Sequence, residues 1–268
     1  GSSLRLHASK DITVGNLTAT DVSLVSDTGA LINAAGSTKN VTATNLRMAS
    51  DDAIGASNRH LTTAVTNLTA LSTGTTTAGI YVTEDDAVTV TNVAVTVTDF
   101  NADATTTVVT DASQSDLTAG LNGNVVLSTV NGPVTLTDGT DGDGLAVSAN
   151  GSGNILIDVN GAGSDLSVNA NVVSGTGHVT LKAADGIDVA AGVAVTTASA
   201  GTISVDAEGG ALTMSGTSSM TATGSSLRLH ASKDITVGNL TATDVSLVSD
   251  TGALINAPVS DTRLTSVA

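Results

Sequence analysis

Residues 1–34 recur without a single change as residues 224–257. The two copies part company only at Ala35 and Pro258. A fold tolerates wide substitution, so identity at every position of so long a stretch does not come from convergence on a shape. It implies a recent tandem duplication, or an array kept uniform by recombination, in a protein that carries many such units. Internal repetition of this kind points to an architecture that grows by stacking.

A shorter period lies inside the long one. Triplets of the form apolar–x–apolar stand at Ile155-Leu156-Ile157, Val179-Thr180-Leu181, Ile203-Ser204-Val205 and Leu227-Arg228-Leu229, at one constant step. That step, about 24 residues, is the size of a single repeat unit in a stacked array. The period is elastic: the step from Leu4-Arg5-Leu6 to Val22-Ser23-Leu24 is shorter, and the step from Leu24 to Met48 returns to the full length. Further triplets fall between these, among them Ile12-Thr13-Val14, Val134-Thr135-Leu136, Leu166-Ser167-Val168, Ile187-Asp188-Val189 and Val193-Ala194-Val195. Asp-Gly, Asn-Gly and Gly-Gly pairs mark the breaks, because Gly and Asn tolerate positive φ. Strands this short form no stable sheet alone. Stacked coil upon coil, every strand gains a parallel partner at about 4.8 Å, and alternation sends Val179 and Leu181 inward while Thr180 meets water.

The expected fold is therefore all-β: one right-handed parallel β-helix (a β-solenoid) over residues 1–268, with coils of about 24 residues and three short strands each. A β-sandwich would need longer strands, and a helical solenoid would need an apolar period of 3.6 that this chain lacks. Residues 74–120 fit the register worst, and an enlarged loop over 101–120 is expected to absorb the misfit. Met48 and Leu127 are expected on one column, three or four coils apart, and the two identical segments are expected to share one coil geometry and to be related mainly by translation along the rod. The chain opens inside a strand pattern, which reads as a piece cut from a longer protein.

Composition agrees with a narrow interior. One Tyr, one Phe and no Trp leave the apolar 40% to Val, Ile, Leu and Ala, and β-branched side chains pack well on pleated surfaces. Only 13% of residues are charged, and apolar residues alternate throughout, unlike a disordered acidic chain. The formal charge of −16 disfavours nucleic acid and anionic membranes. No apolar run approaches the roughly 18 residues of a membrane span. Cysteine is absent, which decides little about compartment.

The run His178-Val179-Thr180-Leu181-Lys182-Ala183-Ala184-Asp185-Gly186-Ile187, and Leu229-His230-Ala231-Ser232-Lys233-Asp234-Ile235 after it, show strand, short Asp-bearing turn, and the Ile that starts the next strand. In this, and over nearly its whole length, the chain resembles the passenger regions of giant, repetitive filamentous-haemagglutinin-like adhesins and autotransporters of Gram-negative bacteria. The resemblance implies a secreted or surface-displayed filament with a structural or adhesive role. Its partners would be neighbouring repeats of the same chain and another cell surface. No binding residue carries over, since no binding motif is matched.

Candidate chemistry is sparse. Asp138-Gly139-Thr140-Asp141-Gly142-Asp143-Gly144 is the sharpest acidic cluster, and its Asp138, Asp141 and Asp143 are the candidate calcium ligands. The segment lacks the terminal Glu of an EF-hand, so a solvated turn is the expectation, with no required cofactor. Bound calcium would make the chain a calcium-stabilised rod of surface-layer type. The stretch 160–166 approaches the calcium-binding nonapeptide, but Asn160 replaces its first Gly and only one copy exists. His7, His60, His178 and His230 show no metal-ligand spacing. Polysaccharide-degrading enzymes use this fold, but they need clustered acids and bases, and their grooves usually offer aromatic platforms; catalysis is not expected. Thr-x-Thr at residues 18–20 and 42–44 lies one coil apart, as in ice-binding solenoids, yet the series does not continue. Sequons at Asn16, Asn40, Asn67 and Asn239 are expected by chance in an Asn- and Thr-rich chain.

Overall fold

The structure is a computed structural model that describes residues 1–74 and 78–258. The described residues contain strands and no helix. Nearly all the strands join one large parallel sheet in which each pairs with strands one coil earlier and one coil later, a solenoid-like arrangement. Parallel pairing of strands this short excludes a sandwich, whose pairs are antiparallel.

Three long ranks of stacked residues run through the described chain. Ile157, Leu181, Val205 and Leu229 stand on one, in direct register, and Leu247 caps it. Leu166, Ile187, Leu212 and Ile235 stand on the second, which ends at Leu254. The third passes through Leu6, Leu24, Met48 and Ala70, then Leu117, Val147, Val172, Val195, Met220 and Leu240. Inward positions are buried and their neighbours half-buried: Ile203, Val205 and Ala207 against Ser204 and Asp206. Each enclosed Val, Leu or Ile contributes about 1.5–3 kcal/mol, and this core runs continuously from coil to coil.

Turns stack as tightly as strands. A Cβ on Gly153, Gly177 or Gly201 would lie 2.1–2.4 Å from the carbonyl oxygen of the glycine one coil below, at Gly123, Gly153 and Gly177 respectively. No other residue fits that approach. Beside them runs a polar ladder. The amide of Asn154 donates to Asn124 Oδ1 and that of His178 to Asn154 Oδ1, both at 2.8 Å. The amide of Thr202 then donates to His178 Nδ1 at 3.2 Å.

The irregular region is an antiparallel hairpin. Val93–Phe100 pairs with Thr106–Gln114, and Leu117–Ala119 is already back in a rank. The excursion thus begins earlier and ends sooner than the expected loop 101–120, because Val93, Val95 and Val97 find partners across the hairpin instead of in a coil. It lies as a strap over the outward row Arg5–Ser23–Arg47–Thr69. Arg5 Nε donates to Asp111 Oδ2 at 2.8 Å, Arg47 Nε to the Ala112 carbonyl at 3.1 Å, and Gln114 Nε2 to Thr69 Oγ1 at 3.1 Å. Ser23 and Thr69 are buried by it, although their sequence positions face outward.

Two expectations need correction. Met48 and Leu127 stand on different ranks: Met48 leads through Ala70 to Leu117, whereas Leu127 pairs with Val82. The identical segments also do not differ by translation alone. Leu6 stands on the rank that reaches Leu240 after nine steps, and its duplicate Leu229 stands on another. The repeat period is not a whole number of coils, because the hairpin and the long turns take up residues without winding.

Candidate metal centre at the root of the strap

Just before several strand triplets the chain places an aspartate that receives a backbone amide from the next coil. Asp11 Oδ1 accepts from Ala30 at 2.9 Å, Asp165 Oδ1 from Gly186 at 2.8 Å, and Asp234 Oδ1 from Ala253 at 2.8 Å. Asp116 occupies the same position before Leu117-Thr118-Ala119. It is 3% exposed and its φ is +67°, yet its Oδ1 has no hydrogen-bond partner. What faces it is not an amide but the acidic turn 138–144.

That turn is bent by Gly139, Gly142 and Gly144, all at positive φ, and Gly139 packs so closely on Ser115 that a Cβ would sit 2.5 Å from its Oγ. The bend brings Asp141 and Asp143 to Asp116, with one carboxylate oxygen of each within 4.8 Å of the others. Asp138 is not in that group. Its Oδ1 closes the turn by accepting from the Gly144 amide at 2.9 Å. Of the three calcium candidates read from sequence, two converge, the third is a turn-capping residue, and the partner they converge on was missed. The missed signal was Asp116's place ahead of a triplet, followed a coil later by glycines and aspartates where an amide donor normally stands.

These groups line a cavity of about 500 Å³ together with Gln114, Ser115, Thr140 and Arg47. Gln114 Nε2 is held by the Met48 carbonyl at 2.8 Å and by Thr69, which leaves Oε1 buried and unpartnered. The Asp116 carboxyl is pushed up to about 8, first by burial and then by the charges of Asp141, Asp143 and Asp138. Burial holds the Arg47 guanidinium below its usual value, against the pull of Asp111. The donor set is all oxygen, which suits hard cations such as calcium and not zinc or copper.

The other candidates lie elsewhere. The 160–166 turn spends Asp165 on the Gly186 amide, and Ser164 Oγ receives the Gly132 amide at 3.0 Å. His230 sits between Asp206, at 2.6 Å, and Asp250, at 3.2 Å. His7 reaches Asp27 at 2.8 Å, and His60 reaches Thr83 at 2.9 Å beside Tyr81. Thr18 stacks on Thr42, but the next position is Ala64, so the threonine row stops after two coils. Asn40 is fully buried, bonded to Val14, Asn33 and Thr62.

No protein-family model, curated protein or solved structure matches the chain.

Proposed function

We propose that the chain is a segment of a right-handed parallel β-helix, with coils of about 24 residues and three short strands each, in a long filament secreted by or displayed on a bacterial cell. Its role is structural or adhesive. Neighbouring repeats of the same chain are its constant partners, and another cell surface is the outer one. The observation that supports this reading is the parallel pairing of strands one coil apart in both identical segments. Each coil contacts only its neighbours, so such a protein lengthens by duplication without redesign of a core. Among the described residues, Val245 and Leu254 near the second copy's end are exposed where Val22 and Leu31 of the first copy are covered by the next coil, a surface suited to one more coil. The strap supplies the protruding element, with Phe100 and Val108 exposed along it. No helix among the described residues is long and apolar enough to cross a membrane.

Small-angle X-ray scattering on a chain carrying two tandem copies of the long repeat period tests the filament. Following the ranks, one period winds about eight and a third coils, so the maximum dimension should grow by roughly 40 Å. Growth of the cross-section instead would reject the reading. Beads coated with the protein should adhere to bacterial or host cells more than beads coated with a scrambled chain, and Phe100→Ala should reduce that adhesion. Equal binding by all three coatings would leave the filament role and remove the adhesive one.

A further inference from the structure

We propose that Asp116, Asp141 and Asp143 bind one calcium ion at the root of the strap, with Gln114 Oε1 as a fourth protein ligand. The inference does not rest on the adhesive reading. An acidic cluster by itself means little in a chain of charge −16, and exposed aspartates are common. The deciding feature is Asp116: a 3% exposed carboxyl group, lining the cavity with Asp141 and Asp143, whose Oδ1 has no hydrogen-bond partner. A buried acceptor left unpaired is destabilising, and more so when it is charged. Its sister aspartates at positions 11, 165 and 234 avoid that cost by taking an amide. Gln114 repeats the pattern, since its amide nitrogen is engaged twice and its oxygen is not.

Calcium fits better than magnesium. It accepts about six to eight oxygens in flexible geometry at roughly 2.3–2.6 Å, so four protein oxygens and water complete a shell. Magnesium demands a near-octahedral set and sheds water reluctantly. Arg47 lines the same cavity: its Nε is bonded to Ala112, Asp111 is its opposite charge, Arg5 is a like charge beside it, and its Nη1 is buried without a partner. The charges that act on Asp116 are the three aspartates. The consequence is mechanical. Asp116 and Gln114 end the strap, and Asp141 and Asp143 belong to the next turn of the same stack. One ion would pin the strap's exit to the coil that follows.

Isothermal titration of the whole purified chain with calcium chloride, in about 0.15 M salt to screen the general surface charge, provides the test. The expected result is one ion per chain with a Kd between about 1 μM and 1 mM, and magnesium at least tenfold weaker. Asp116→Asn and Asp141→Asn should each weaken calcium at least tenfold, while Asp188→Asn, exposed on a distant strand, changes nothing. Hydrogen exchange should show calcium slowing amides at 112–118 and 138–145. Asp141 is exposed, so its variant keeps the test valid should Asp116→Asn fail to fold. Weak binding at many sites, equal affinity for magnesium, or a folded Asp141→Asn chain that binds like the parent would each overturn the site.

Discussion

Residues 1–34 and 224–257 have one sequence and two opposite environments. In the first copy Val22, Leu24 and Leu31 are fully buried, whereas the opening Leu4 and Leu6 are only half-buried. In the second copy the pattern inverts. Leu227 and Leu229 are buried, and Val245 and Leu254, the twins of Val22 and Leu31, are 46% and 55% exposed. Among the described residues each copy has one coil covered and one bare, and the bare coil is the one with no described neighbour on one side. Ser23 is buried under the strap, while its duplicate Ser246 is exposed. His230 bridges Asp206 on the coil before and Asp250 on the coil after, and its twin His7 reaches only the aspartate after. Burial in this architecture belongs to the stack and not to the residue.

The largest expected effect tests that statement directly. Leu24→Ala should cost about 2–5 kcal/mol, as core truncations do. Leu247→Ala, at the identical sequence position, should cost under about 1 kcal/mol because its coil is uncovered and can open locally. Urea unfolding of both variants decides it, and equal costs would mean that local sequence, not stacking, sets burial.

Ionisation separates the regions next. Glu84 is fully buried at the end of the stacked strand Gly79–Glu84, where its carboxyl oxygens accept from Thr63 Oγ1 at 2.5 Å and from the Val65 amide at 3.0 Å. Burial nevertheless dominates and pushes it up to about 7. Between about 4.5 and 7 the folded chain holds a proton that the unfolded chain has lost, so stability falls as pH rises through this window and levels off above it. The fall should approach about 3 kcal/mol at most, at roughly 1.36 kcal/mol per unit. Glu84→Gln should flatten that part of the profile, measured as the difference from the parent chain, and an unchanged profile would assign the dependence elsewhere.

The strap's effect is smaller. Arg5→Ala breaks a partly buried pair with Asp111 and should cost about 1–3 kcal/mol. Hydrogen exchange should then quicken in residues 3–26 and 93–114 and stay unchanged in 224–257. The subtlest contrast is spectroscopic. The His230 imidazole is raised above its ordinary value, first by its bond to Asp206 and then by that to Asp250. Its contribution to stability is present below about 6.5 and is lost as pH rises through the folded value. Asp206→Asn should lower the His230 midpoint in a proton NMR titration, and no movement would show that Asp250 alone sets it.

Much of the fold was legible because strand alternation and the constant step between triplets are local properties of the chain. The predicted register of Val179, Ile203 and Leu227 holds residue for residue. The hairpin was not, since Val93, Val95 and Val97 alternate like coil strands whether their partner lies across a hairpin or one coil away. Asp116 was not, since nothing near it in sequence says that the next coil will offer carboxylates in place of an amide.

What the sequence determined by itself is the kind of object: short apolar alternations, glycines at the turns, and too few aromatics for a thick core. What the tertiary structure alone decided is which surfaces those elements share. Coils of unequal length close onto the same ranks, with the turns and the strap absorbing the difference, so residue count alone does not fix how far the chain has wound. That winding puts two identical segments on different ranks, carries the strap over Ser23 and not Ser246, and sets Asp116 against Asp141 and Asp143. Local chemistry repeats faithfully, but position around a solenoid is set by how the whole chain winds.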